Sequence, residues 1–182
     1  MVISPACAPL LQAVLPVGGA LRLQNTTDQA FLRELFVSRR WAEVRAVPGW
    51  SDAQRHAFLH SQAELQRQHY ERHYPGAQWL IIEQAGEAIG RLCLHRQATD
   101  LRVVDIALLP HCQGLGLGSA LLREILTEAD TQGHSCSLSV ELGSRAQGLY
   151  QRLGFLAGDE NGLYVQMRRP ARQLPREELD NP

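Results

Sequence analysis

The feature that most constrains the fold is the run from Val103 to Leu122. An apolar strand ends at Pro110, a glycine-rich turn follows, and an amphipathic helix grows out of it. Leu117, Leu121, Leu122, Ile125 and Ala129 recur at helical spacing, leaving Arg123, Glu124, Glu128 and Asp130 for the solvent side. A helix start exposes unpaired N–H groups and carries about half a positive charge. Glycines at 114, 116 and 118 remove the Cβ atoms that would hold a phosphate away from those donors. The run predicts an anion cradle between a strand and a helix.

Three glycine-loop chemistries share this outline. A Walker loop requires Gly-Lys-Ser/Thr, and the chain contains no lysine. The dinucleotide pattern G-x-G-x-x-G fails because Ser119 or Leu121 stands where its last glycine belongs. An oxidoreductase reading would also place the loop in an early βαβ unit, and here it lies past mid-chain. The third pattern, Q/R-x-x-G-x-G/A, is met in full by Gln113, Gly116 and Gly118. In that context the run resembles the coenzyme A pyrophosphate loop of the GNAT superfamily of N-acetyltransferases. A second segment, Ala146-Gln147-Gly148-Leu149-Tyr150-Gln151-Arg152-Leu153-Gly154-Phe155, resembles the A-x-x-L-Y-x-x-L-G-F segment of the same superfamily. One departure is visible: Gly143-Ser144 occupies the place where an asparagine commonly precedes this helix.

The order of elements agrees. Ala20 to Gln24 alternates like a short strand, and Asn25 to Asp28 signals a helix start ahead of Phe31, Leu32, Leu35 and Phe36. Val47 to Trp50 breaks the chain, Ser51-Asp52 opens a longer helix, and Pro75-Gly76 stops it near Tyr74. Trp79 to Glu83 and Ala88 to His95 read as a hairpin, followed by a strand over Val103 to Leu109. After the cradle helix come a strand over Ser135 to Val140, a short helix from about Ser144 to Leu153 and a last strand over Leu163 to Met167. A crossover connects the strands on either side of the cradle helix, so they are expected to run parallel.

The resemblance covers residues 20–170 and implies the GNAT fold. This is an α+β domain whose central sheet is mixed and mostly antiparallel, with a splayed parallel strand pair and flanking helices. Residues 1–19, with three prolines and no charge, read as an extension, and 171–182 as a charged tail. A chain of 182 residues is long enough to bury a real core in one domain. The net charge of -1 gives no field for nucleic acid or an anionic membrane, so neither is an expected partner. No run reaches the roughly 18 apolar residues of a membrane span. The first cation is Arg22, so there is no basic signal-peptide n-region, and a cytoplasmic protein is expected. Cys7, Cys93, Cys112 and Cys136 are too scattered for a zinc pair or a disulfide framework. His56 and His60, and His69 and His73, have metal-compatible i, i+4 spacing, but no third ligand accompanies them and no metal is expected. A homodimer is admissible.

What the resemblance implies for chemistry is an acetyl-CoA-dependent N-acetyltransferase acting on a primary amine of a small molecule or protein. Backbone groups of Ile106, Ala107 and Leu108 would hold the pantetheine arm, and one would serve the thioester oxygen. Amides of Gln113, Gly114, Leu115, Gly116, Leu117, Gly118 and Ser119 would hold the pyrophosphate. Tyr150 would be the general acid, because a tyrosine with pKa about 10 keeps its proton at neutral pH and can give it to a leaving thiolate. Glu141 ranks first as the base, ahead of Asp105 and Glu83, because the end of its strand should open toward the acceptor. Trp41, Trp50, His56, His60, Tyr70, Tyr74 and Tyr164 are candidates for lining the acceptor site. The alternative is a CoA-binding sensor or regulatory module that keeps the cradle without catalysis.

Overall fold

The computed structural model describes Leu15 and residues 18–172. Most of the sequence assigned to the N-terminal extension and the C-terminal tail lies outside those residues. The chain runs β1 (Gly19–Leu23), α1 (Gln29–Arg45), α2 (Asp52–His73), β2 (Gln78–Gln84), β3 (Glu87–Arg96), β4 (Asp100–Leu108), α3 (Leu117–Thr131), β5 (Ser135–Glu141), α4 (Arg145–Arg152), β6 (Leu156–Asn161) and β7 (Tyr164–Arg169). The strands form one sheet in the order β1-β2-β3-β4-β5-β7-β6, antiparallel throughout except for the β4–β5 pair.

The helices begin where their caps dictate. Asn25 accepts from the Thr27 N–H at 2.8 Å while the Asn25 N–H donates to Asp28, also at 2.8 Å, so two end donors are satisfied before α1 starts. Ser51 and Gln54 form the same reciprocal box ahead of α2. α3 packs its apolar stripe on one face of the sheet, where Leu121, Leu122, Ile125 and Ala129 are sealed from solvent with Leu101, Val103, Leu138 and Val140. Each of the buried leucines, isoleucines and valines contributes about 1.5–3 kcal/mol. α1 and α2 pack on each other and make a smaller cluster from Val37, Val44 and Leu59.

One register shift organises everything that follows. Cys93 lies opposite Asp105 and Leu94 opposite Val103, leaving Val104 as the extra residue of a β-bulge in β4. Alternation therefore changes phase at residue 104. Leu101 and Val103, and beyond the bulge Ile106 and Leu108, join the α3-side core, whereas on the opposite face Arg102 reaches Tyr74 at the C-cap of α2 and Asp105 is bound by Arg91 of β3. The bulge also ends the parallel ladder. β4 pairs with β5 from Asp100↔Ser135 to Val103↔Leu138, after which the two strands continue unpaired to Leu108 and Glu141. The expected parallel pair and its splay are thus present.

β6 is absent from the sequence expectation. Its residues, Leu-Ala-Gly-Asp-Glu-Asn, are all exposed and pair irregularly with β7, so no apolar alternation marks an edge strand there. Among the described residues, no helix is long and apolar enough to cross a membrane.

Candidate active site

The cradle sits at the end of β4. After Leu109 the chain makes a single 3-10 turn over Pro110–Cys112, and the Gln113 side-chain amide donates to the Leu108 carbonyl at 2.9 Å. That bond ties the loop back to the last residue of the strand. Gly114 and Gly116 both take left-handed backbone, with φ of 76° and 87°, where a side chain is strained. Gly116 is the N-cap of α3 and supplies no side-chain cap. The first intrahelical bond is Ala120 N–H to the Gly116 carbonyl at 3.0 Å. Among the described residues, nothing accepts from the N–H groups of Gly114, Leu115, Gly116, Leu117, Gly118 or Ser119. An uncapped helix start with a row of free donors and no side chain over Gly114 or Gly116 fits a pyrophosphate.

The gap between β4 and β5 opens into a cleft of about 580 Å³ that continues beneath α1 and α2. Val104, Asp105 and Ile106 form one wall, and Ser139, Val140 and Glu141 the other. Ile106, Ala107 and Leu108 pair with Leu92, Arg91 and Gly90 of β3 on one edge, and their β5 edge is unpaired. β3 must run close here. A Cβ on Gly90 would overlap the Ala107 carbonyl oxygen and come within 2.7 Å of the Leu108 side chain.

Tyr150 stands on the wall of this cleft. Ser144 caps α4 by accepting from the Gln147 N–H at 3.4 Å, so the helix starts with a serine cap. Tyr150 is buried with its ring edge-on to Phe155 at 5.7 Å, and its hydroxyl has no hydrogen-bond partner among the described residues. Burial, then the Asp105 charge, push its pKa up to about 12. The group is a firmly protonated O–H facing a cleft.

The carboxylates divide clearly. Glu141 is exposed at the end of β5 and lines the cleft. Asp105 also lines it, but its carboxylate is held by Arg91, whose Nε donates at 2.9 Å and whose Nη2 makes a closer second bond. Glu83 is elsewhere, paired with Arg22 at 2.5 Å on the β1–β2 side. Of the predicted acceptor residues, Tyr70, Tyr74 and Tyr164 reach the cleft. Trp41 meets His56 at a tilt with ring centres 4.7 Å apart, and Trp50 packs edge-on to Phe58 at 5.3 Å. His60 lines a separate cavity between α1, α2 and β2. His69 and His73 stack at 4.0 Å, with the His73 ring bound to the His69 carbonyl. Arg39, Arg40 and Arg102 also line the cleft and went unnoticed in the sequence. Arg102 reaches this face by alternating with core-facing Leu101 and Val103, and the change of phase at Val104 brings Asp105 to the same face.

The chain belongs to the acetyltransferase (GNAT) family, whose model matches residues 39–155. The fold is shared with the PaiA N-acetyltransferase of Thermoplasma acidophilum solved with coenzyme A, at TM-score 0.62 and 18% identity, covering 84% of this chain and 98% of that one. It is shared too with the ribosomal-protein-S18-alanine N-acetyltransferase of Escherichia coli, at TM-score 0.57 and 19% identity over 87% and 97% of the two chains. A histone acetyltransferase-related protein of Corynebacterium glutamicum aligns at TM-score 0.60 and 20% identity over 87% and 99%. No curated protein matches the sequence.

Proposed function

We propose that the protein transfers the acetyl group of acetyl-CoA directly to a primary amine. The observation that carries this reading is the unpaired edge of β4 along the splay, with Tyr150 on its wall and the free N–H row of the α3 start beyond its end. Free amides from Gly114 to Ser119 receive the pyrophosphate, joined by that of Gln113 if its bond to the Pro110 carbonyl (3.3 Å) gives way. Backbone groups of Ile106, Ala107 and Leu108 receive the pantetheine arm, and an N–H among them serves the thioester oxygen. Tyr150 gives its proton to the departing sulfur. A thiolate whose thiol has pKa about 8.5 leaves more readily when protonated, and a phenol held near 12 keeps its proton until then. Glu141 accepts a proton from the amine, which attacks only when neutral. A lysine-like amine with pKa about 10.4 needs that help more than an α-amine near 7.7–8.0.

Two measurements test the reading. Acetyl-CoA is titrated calorimetrically into the protein, and thiol release is followed across a set of amines for wild type and Tyr150→Phe. The variant is expected to keep wild-type acetyl-CoA affinity and to lose about 10²-fold in turnover. Equal rates would return Tyr150 to packing against Phe155. Binding without thiol release from any amine would identify the non-catalytic CoA-binding module instead.

A further inference from the structure

We propose that Arg102, assisted by Arg39, forms an anion subsite in the acceptor cleft, and that the acceptor is a small amine carrying a carboxylate. The inference rests on reading this cleft as the acceptor side of an acetyltransferase. Arg102 lies on β4 within the last paired residues before the strands part, and its guanidinium spreads across the floor of the cleft. It donates to Ser139 Oγ at 2.7 Å, Tyr74 Oη at 3.2 Å, Gln166 Oε1 at 3.3 Å and Ser137 Oγ at 3.4 Å. All four acceptors are neutral. Proton positions agree with this: Ser137 gives its own proton to Asp100 at 2.5 Å, and Ser139 gives its proton to Gln166 at 3.0 Å. Buried Asp100 therefore reaches Arg102 only through a serine, and among the described residues no carboxylate is in ion-pair contact with it.

The other charges lining the cleft do not supply a partner. Arg40 is paired with Glu43 at 2.9 Å and also reaches the Tyr164 hydroxyl. Asp105 is bound by Arg91 through Oδ2, and its Oδ1 makes a long ion pair with Arg39 at 4.0 Å. His69 lines the edge of the cleft, on α2. Glu141 is the remaining carboxylate, and it has no arginine. The cleft thus presents one unpaired anion near the splay, the guanidinium of Arg102 with no carboxylate in contact, and Arg39 held only by its long ion pair with Asp105. A molecule with an ammonium at one end and a carboxylate at the other satisfies both signs of charge, and a forked guanidinium suits a planar carboxylate. A cleft of about 580 Å³ is of small-molecule size.

The test uses the full chain with saturating acetyl-CoA and matched acceptors that differ only in the carboxylate. Suitable pairs are lysine with 1,5-diaminopentane and β-alanine with ethylamine, with O-phosphoethanolamine against ethanolamine to separate phosphate from carboxylate. Thiol release is expected to show kcat/KM about tenfold or more higher for the carboxylated member, the scale of one charge-assisted hydrogen bond. Arg102→Gln is expected to bring the members of each pair within about threefold of one another, mainly through KM, and Arg102→Lys to restore part of the preference. Arg39→Gln, exposed enough to leave folding intact, should reduce the preference independently. Equal or better use of the partners lacking the carboxylate, preference for the phosphate, or no turnover of any amino-carboxylate by protein that binds acetyl-CoA would each overturn the proposal. Failure to bind acetyl-CoA at all would remove the functional reading beneath it.

Discussion

Gly90 offers the sharpest test of how the splay is built. The added methyl of Gly90→Ala would lie 2.7 Å from Leu108 Cδ2 and 3.1 Å from Ile82 Cδ1, and it would overlap the Ala107 carbonyl oxygen. The two side chains can turn away. The carbonyl can be cleared only by moving β3 away from β4, because carbon and oxygen need about 3.3 Å. Overpacking of this kind costs about 1–3 kcal/mol. Strand separation also loosens neighbouring ladder bonds such as Leu109 N–H to the Ile89 carbonyl at 2.9 Å, each worth about 1 kcal/mol. A total of about 2–5 kcal/mol corresponds to a Tm lowered by about 4–20 °C for a domain of this size. Gly118 is the control. An added methyl there meets only Leu108 Cδ1, at 3.8 Å, and an alanine in the helix is favoured by up to about 1 kcal/mol. Differential scanning calorimetry on both variants decides the matter. A Gly90→Ala protein that melts within a degree of wild type would refute the close-approach reasoning, as would a Gly118→Ala protein that melts lower than Gly90→Ala.

Two further predictions concern charge. Asp105→Asn should leave the Arg91 guanidinium buried without its carboxylate, since both side chains are 11% exposed. The expected loss is about 3–5 kcal/mol by urea denaturation, and an unchanged midpoint would show that Gln66 and the Tyr70 and Trp79 rings suffice for Arg91. Asp130 is held below the ordinary aspartate pKa of 3.8 by its hydrogen bonds from Arg169. A carboxyl depressed on folding stabilises fully above its unfolded pKa and loses that contribution as pH falls below about 4 toward its folded value. Stability measured from pH 7 to pH 3 should therefore fall less steeply for Asp130→Asn than for wild type, and parallel curves would count against the pair.

The glycine loop and the order of all elements except β6 were legible because each leaves a periodic or punctuated trace, whereas Tyr150 was singled out by the resemblance of its segment to the superfamily's. Gly114 and Gly116 mark left-handed turns, Ser51 and Ser144 mark helix starts, and the stripe from Leu117 to Ala129 marks one buried face. What stayed hidden depends on partners distant in sequence. Glu83 looked available until β1 brought Arg22 beside it, and Asp105 until β3 brought Arg91. Gln113 matched a loop pattern, yet its side chain works by fastening the loop to Leu108. β6 was invisible because an exposed edge strand paired on one side needs no apolar alternation.

Val104 explains why the acceptor side was the least legible region. Strict alternation through Arg102-Val103-Val104-Asp105-Ile106 would place Arg102, Val104 and Ile106 on one face and Val103 and Asp105 on the other. The extra residue at Val104 breaks that sequence, so Arg102 and Asp105 share the α1–α2 face while Val103 and Ile106 share the core. The same bulge ends the β4–β5 ladder at Val103 and Leu138, turning the strand away and opening its edge. One inserted residue thus ends the ladder and brings Asp105 to the face that already carries Arg102. In a chain lacking it, strict alternation would put Arg102 and Asp105 on opposite faces of the sheet, and the cleft would lose one of the two.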